Sequence, residues 1–287
     1  MNSERRRKEL GDFLRTRRSR LAPHEVGLQP SSRRRTPGLR REEVASLSGI
    51  SLPWYTALEQ GRDIQVSEQV LESLVRTLRL SRDERNYLFM LAKGNPVIAP
   101  VREADGSIPP GIKEILDRLG TYPAFVIDRR WNVMAWNKTA GTLCGDLEQA
   151  KELERNLLWR TFMMEVSKGR IVNWEDFSTI LLAHFRNRYA MYINDGWYQD
   201  LVCKLHGHSE VFRASWEQHE VAGNSEGDQV FNHPETGLLS FHYNTFMVSE
   251  SSDYLMRVYT PIENTGTEEK IEAFWAKKAL NEHGDLL

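Results

Sequence analysis

Residues 39–61, LRREEVASLSGISLPWYTALEQG, constrain this chain more than any other stretch. They read as two short helices joined by a tight turn. Val44 and Leu47 in the first helix, Ile50 in the turn, and Tyr55 and Leu58 in the second are the apolar positions that would hold the pair together. Gly49 supplies the left-handed backbone that a sharp turn needs. Ser51 is a good N-cap, and Pro53 is tolerated in a first helical turn. This is the spacing of a helix-turn-helix, whose second helix enters the DNA major groove. Double-stranded DNA is therefore the expected partner.

Charge is distributed to match. Residues 1–41 hold thirteen Lys/Arg against four Asp/Glu, and residues 1–95 carry a net +7 against −9 for residues 96–287. The overall charge of −2 conceals that division. Taken alone, the runs at 5–8 and at Arg33, Arg34 and Arg35 are ordinary solvated surface. Beside a helix-turn-helix they fit phosphate contacts, which gain affinity by releasing counterions. On the second helix, Ser51, Leu52, Pro53, Thr56 and Ala57 should face DNA, with Tyr55 and Leu58 facing the bundle. Trp54 has two open readings, a contact to the DNA backbone or packing on the first helix. Only Ser51 and Thr56 in this set can hydrogen-bond a base, so direct readout looks sparse. Arg40 and Arg41, which open the first helix, and Arg62 after the second are phosphate candidates, and backbone amides at a helix start add to the pull on an anion.

The length of 287 residues suits two domains, and 40% hydrophobic content suffices for real cores. The N-terminus shows no signal-peptide pattern, and no run reaches the length of a membrane span. Cys144 and Cys203 are too few for a disulfide framework. A cytoplasmic protein without membrane contact is the expectation.

Residues 4–18 suggest a first helix with Leu10, Phe13 and Leu14 on one side. Residues 21–38 are mostly loop. Beyond the turn motif, 67–80 repeats Val70, Leu71, Leu74, Val75 and Leu78 at helical spacing, and Ser81 with Glu84 forms a capping box before a last helix bearing Leu88 and Leu91. Residues 1–93 thus form an all-α bundle of about five helices, the DNA-binding domain. Four prolines and three glycines mark 94–111 as a linker. In 112–287, two strands at 124–127 and 133–136 flank a turn, and Asn137 caps a short helix. A long amphipathic helix at 174–192 carries Phe177, Leu181, His184 or Phe185, and Tyr189. Helices at 196–206 and 209–220 follow, then strands at 229–232, 238–247 and 254–261 and a final helix at 271–280. This order makes an α+β chain with an antiparallel sheet.

Three segments of the first half carry a family resemblance: 33–41 (RRRTPGLRR), the turn motif and 79–92. The second half adds 122–137 (YPAFVIDRRWNVMAWN), 156–158, the 212–219 helix and the His233-Pro234 turn. Together they resemble the MmyB-like transcription regulators, a bacterial branch of the XRE-type helix-turn-helix class, over nearly the whole chain. The resemblance implies a DNA-binding head followed by a PAS-like α/β sensor domain that binds a small apolar ligand, a fatty acid by class, with no cofactor required. Where relatives often carry Arg in the recognition helix, this chain has Ala57.

The second half is rich in residues that suit either a core or an apolar cavity between sheet and helices: Phe125, Ile127, Trp136, Phe162, Phe177, Leu181, Phe185, Tyr189, Trp216, Phe241, Tyr243, Phe246 and Met256. For a ligand carboxylate Arg186 is the first candidate donor, ahead of Arg188, His219 and His242. Cys203, His206 and His208 offer zinc-type ligands, but at irregular spacing and with no fourth ligand evident. No nucleophile–base pair or phosphate-cradling loop suggests an enzyme. The expectation is a homodimeric DNA-binding regulator whose sensor domain holds an apolar ligand. Its rivals are a ligand-independent DNA binder with a dimerising or partner-binding second domain, and an enzyme fused to a DNA-binding head.

Overall fold

The structure, a computed structural model of the chain, describes residues 2–29, 38–93, 108–145, 147–221, 226–248 and 254–284. Arg33, Arg34 and Arg35, and the linker residues 94–107, lie outside the described residues. The chain forms two compact units. The first comprises Met1–Ala99, Leu182–Lys204 and Arg213–Gly223, and the second Pro100–Leu181, Leu205–Phe212 and Asn224–Leu287.

Five helices open the first unit: α1 (Asn2–Arg20), α2 (Arg41–Ser48), α3 (Leu52–Glu59), α4 (Glu68–Thr77) and α5 (Arg82–Lys93). Glu4 in the first turn of α1 and Arg17, Arg18 and Arg20 in its last complement the helix dipole. Gly49 ends α2 at φ +69°. Ser51 Oγ accepts from the Trp54 amide at the start of α3, and Ser81 and Glu84 form the capping box expected for α5. Phe13 and Leu14 of α1, Val44, Tyr55 and Leu58 of the turn motif, and Leu71, Leu74, Leu88 and Leu91 form one buried core. Gly11 lets α1 lie hard against α3, because a Cβ there would sit 2.3 Å from the Glu59 carbonyl oxygen.

The second unit begins with α6 (Pro110–Arg118), β1 (Ala124–Ile127), β2 (Val133–Trp136), α7 (Lys138–Cys144), α8 (Leu157–Met163) and α9 (Glu165–Arg170). Next along the chain come α10 (Trp174–Met191), α11 (Gly196–His208) and α12 (Glu210–Glu217), each divided between the two units, then β3 (Glu226–His233), β4 (Gly237–Met247), β5 (Leu255–Pro261) and α13 (Thr267–Gly284) of the second. The five strands make one antiparallel sheet in the order β2-β1-β5-β4-β3, so the chain is α+β as expected. The expected helices and strands are present, and α6, α8 and α9 are additions. Ala124 and Val126 of β1 and Met256 and Val258 of β5 pack with Ile112, Leu116 and Leu119 of the α6 segment. The opposite sheet face carries Phe125, Phe231, Phe241, Tyr243 and Tyr259 in edge-to-face and tilted contacts.

The units do not follow the chain as two consecutive blocks. α10 belongs to the second unit up to Leu181 and to the first from Leu182. Ala190 and Ile193 join the buried core of the head, with Tyr189 and Val221 packed against it. A reading by composition divides the chain at its prolines and glycines, whereas the packing follows these apolar side chains back onto α1–α5.

Candidate DNA interface and ligand cavity

The exposed side of the helix-turn-helix is built by capping and burial together. Tyr55 and Leu58 point into the core, which turns Ser51, Leu52, Pro53 and Gln60 to solvent and leaves Thr56 and Ala57 half-buried. Trp54 is half-buried and packs against the core. Leu52, Thr56 and Gln60 fall four residues apart and so share one stripe. Gln60 is absent from the set expected to face DNA, although its spacing from Thr56 was the signal for it. Leu47 was expected to make an apolar contact but is 40% exposed.

A buried carboxylate fixes this arrangement. Glu59, at the end of α3, is 1% exposed. It accepts from Arg18 Nε of α1 at 2.5 Å and from Arg41 Nε of α2 at 2.6 Å, while Arg18 Nη1 reaches the Leu39 carbonyl at 2.7 Å. Burial pushes the Glu59 carboxyl up, but the hydrogen bonds from Arg18 and Arg41 outweigh it and hold the pKa below the ordinary value. Arg41 therefore has a structural partner already. Arg40 contacts Glu42, and its own amide donates to Glu43 Oε2 at 2.6 Å, so carboxylates occupy the start of α2. Arg62 is exposed.

A second carboxylate, the half-buried Glu9 of α1, holds the later segments of the first unit. Arg186 Nη1 donates to it at 3.0 Å, Tyr87 Oη at 2.8 Å, and His219 Nδ1 lies 3.2 Å away. Arg186 is 0% exposed, sits 4.0 Å from the centre of the Trp216 ring and also donates to the Trp216 carbonyl. Burial raises the Glu9 pKa, but His219, Arg186 and Tyr87 overcome that and bring it to about 2. Arg186, the first candidate for a ligand carboxylate, instead meets a carboxylate from its own chain.

The second unit contains a small cavity with about 40 Å³ of open space. Its apolar wall is Phe125, Leu143, Leu157, Ile171, Phe177 and Phe231, with Tyr259, Gln229, Thr161, Ser167, Cys144 and three arginines completing the lining. Of the proposed ligand residues, Phe125 and Phe177 line it. Ile127, Phe162, Leu181, Phe241 and Tyr243 are buried elsewhere in the unit. Met256 packs in the α6 cluster. Trp136 is half-buried beneath the Arg155 guanidinium, and Phe246 is 53% exposed. Phe185, Arg186, Tyr189 and Trp216 belong to the first unit. The lining that escaped the sequence reading comes from α7–α9, from Ile171 just after α9, and from Gln229, Phe231, Arg257 and Tyr259 on the sheet. Arg257 carried a legible signal, a charge on an inward strand position between Leu255 and Tyr259.

Two asparagines set the local geometry of the sheet edge. Asn137 Oδ1 accepts from the Ala124 and Ala140 amides, tying β1 to the start of α7. Asn156 Oδ1 accepts from Leu158 and Trp159, and its Nδ2 donates to the Arg130 carbonyl. At the turn after β3, His233 Nδ1 accepts from the Glu235 and Thr236 amides, and burial lowers its pKa. Among the described residues, no group of three or more His, Cys, Asp or Glu is placed to hold a metal ion. No described helix is long and apolar enough to cross a membrane.

The family model for a helix-turn-helix domain matches residues 9–88. That for the MmyB-like transcription regulator ligand binding domain matches residues 108–273, more than half of the chain. No curated protein matches the sequence. Both matched domains are those of a transcription regulator, the first implying DNA as a partner and the second a small-molecule ligand. The chain belongs to the MmyB-like transcription regulators, with an N-terminal helix-turn-helix domain.

Proposed function

We propose that this DNA-binding regulator works in the cytoplasm as a homodimer and responds to a small apolar molecule, a fatty acid by class, bound in the cavity of its second unit. The observation that carries the ligand reading is the wall of Phe125, Leu143, Leu157, Ile171, Phe177 and Phe231 within the matched ligand-binding segment. An apolar cavity with a few polar groups is the ordinary form of a small-molecule site. A space of about 40 Å³ holds a water or two, so an acyl chain must part these walls to enter. That small volume is also the one observation favouring a rival, in which the second domain is a filled dimerisation or partner-binding module.

Native mass spectrometry of the purified full-length chain, followed by denaturing extraction, separates the two readings. A fatty acid present in near-stoichiometric amount supports the sensor. An empty protein whose Tm does not rise when fatty acids are added supports the rival, because a ligand that binds only the folded state must raise stability.

On DNA, two heads related by a two-fold axis would read a palindromic site, each adding to the avidity of the other. In each head, Ser51, Thr56 and Gln60 supply the polar base contacts, while Leu52 and Pro53 are placed for thymine methyls. Arg62 contacts phosphate, and Arg40 and Arg41 do so only as far as Glu42 and Glu59 release them. On an operator found by in vitro selection, Gln60→Ala is expected to cost about 1–3 kcal/mol and to relax preference at one base pair. Arg62→Ala should instead weaken all sequences alike and reduce the salt slope by about one unit per head. Equal loss on all sequences for Gln60→Ala would remove it from the readout set.

A further inference from the structure

The first unit carries a concave basic pocket of its own. About 430 Å³ of open space lies between the start of α1, the segment that follows α3 and the end of α5. Four cations, Arg6, Arg7, Arg62 and Lys93, and one carboxylate, Asp63, are among its described lining residues, over an apolar floor that includes Leu10, Leu58 and Leu91. Gly61 builds the pocket. At φ +67° it turns the chain back onto α1, where a Cβ would sit 3.1 Å from the Arg7 carbonyl oxygen. Arg7 Nε donates to the Gly61 carbonyl at 3.3 Å, and its Nη1 lies 3.2 Å from Asp63 Oδ1. The turn thus sets Arg62 beside the first turns of α1.

Two of the four cations are matched within the unit: Arg7 pairs with Asp63 and Lys93 with Glu68. The guanidinium groups of Arg6 and Arg62 have no hydrogen-bond or ion-pair partner among the described residues. Arg62 is exposed, so water serves it. Arg6 is half-buried, and its Nε is closed to water without an acceptor. A guanidinium N–H shut away in this manner is costly, and an anion beside the group offsets that cost. The planar fork suits a phosphate, which it grips with two parallel hydrogen bonds, and two unmatched guanidinium groups suit its double charge. The pocket also lies off the stripe that Leu52, Thr56 and Gln60 form. It touches α3 at Leu58, about 200° round the helix from Thr56. A duplex lying along that stripe leaves the pocket open.

We propose that this pocket is a phosphate-binding site, with the phosphate held between Arg6 and Arg62, and that a free phosphorylated small molecule supplies it rather than the DNA backbone. A single backbone phosphate needs far less room, whereas the volume falls within the range of small-molecule sites. The floor at Leu10, Leu58 and Leu91 would take the part of the ligand that carries no charge. The site lies wholly within the helix-turn-helix unit and does not depend on the reading of the apolar cavity in the second.

The test uses the full-length chain without DNA, titrated with sodium pyrophosphate by calorimetry and thermal shift against sodium chloride of equal ionic strength. It compares the wild type, Arg6→Gln, Arg6→Lys and a charge control, Arg118→Gln, whose exposed side chain pairs with Glu114 in the second unit. The wild type is expected to bind pyrophosphate and to melt higher in it than in chloride. Arg6→Gln should bind about tenfold or more weakly, the size of a hydrogen bond to a charged group. Arg6→Lys should recover part of that loss, and Arg118→Gln should match the wild type. The salt dependence of binding to a selected operator then fixes the source. A free ligand predicts the same slope for the wild type and Arg6→Gln. A slope lower by about one unit per head in Arg6→Gln would overturn the free source and give the site to the DNA backbone. No stabilisation beyond that in chloride, together with an unchanged slope, overturns the site altogether. An equal loss in Arg118→Gln and Arg6→Gln does so as well, because it would report net charge alone. The wild-type titration decides whether the site exists even if the glutamine variant does not fold, and the lysine variant then tests the residue.

Discussion

Glu9→Gln is expected to destabilise the first unit by about 3–5 kcal/mol at neutral pH, the range for breaking a buried ion pair by removing one partner. The substitution keeps the shape and an oxygen acceptor for Tyr87 but leaves the fully buried Arg186 without its counter-charge. Proton linkage gives a similar size. Glu9 has its pKa lowered from 4.5 to about 2, a difference worth about 3 kcal/mol. The folded pKa lies below the unfolded one, so the folded state releases this proton more readily. The stabilisation is complete above about pH 4.5 and is lost as the pH falls through about 2. Urea unfolding of wild type and Glu9→Gln, compared at a series of pH values, isolates the effect from the other carboxylates. The gap should be constant above about pH 5 and close steadily below it. A gap under about 1 kcal/mol at neutral pH, or one that stays the same down to pH 3, would show that Glu9 does not hold this cluster.

The same cluster bears on how the head should be cut for study. Arg186, Trp216 and His219 come from the segment matched as a ligand-binding domain, yet they fall within the compact unit of the helix-turn-helix. A fragment ending near residue 93 would keep the recognition helix and lose the partners of Glu9 and the apolar cover of Tyr189, Ala190, Ile193 and Val221.

Much of the fold was legible because local chemistry and global packing agree. Gly49, Ser51 and the Ser81–Glu84 box stand where the caps require them, and the alternation in 238–247 marks a strand with one buried face. The α6 helix was hidden by Pro109 and Pro110, which read as linker but serve as cap and first helical residue. The short α8 and α9 have too few turns for a period to show. Sites were harder to read than elements. Aromatic residues dominate core and cavity walls alike, so composition could not separate Phe177, which lines the cavity, from Phe162, which meets Trp174 and Phe212 edge-to-face. Arginines were ambiguous for another reason. A long side chain is assigned by its partners, and Glu9 lies 177 residues from Arg186. Only the fold shows that Arg186 meets a carboxylate of its own chain.

Glu59→Ala should cost about 3 kcal/mol and abolish tight DNA binding, because it unties α3 from both α1 and α2 at once. Arg18 is largely buried and cannot recover full hydration by moving, whereas Arg41 is 42% exposed and can turn to solvent. The loss should therefore fall mainly on the Arg18–Glu59 pair. This distinction gives a sharper test than the single substitution. If the penalty reflects an orphaned guanidinium rather than a net gain from the ion pair, replacing both members with apolar residues should recover most of the stability. Arg18→Met with Glu59→Leu is then expected to melt within a few degrees of the wild type, well above either Glu59 variant alone. The double variant should remain weak on DNA, since Arg41 and the start of α2 have still lost their contact with the recognition helix. A double variant as unstable as the single one would mean that Glu59 acts through a tether no apolar pair can replace. Full DNA affinity in Glu59→Ala would mean that the core contacts of Tyr55 and Leu58 are enough to hold the recognition helix in place.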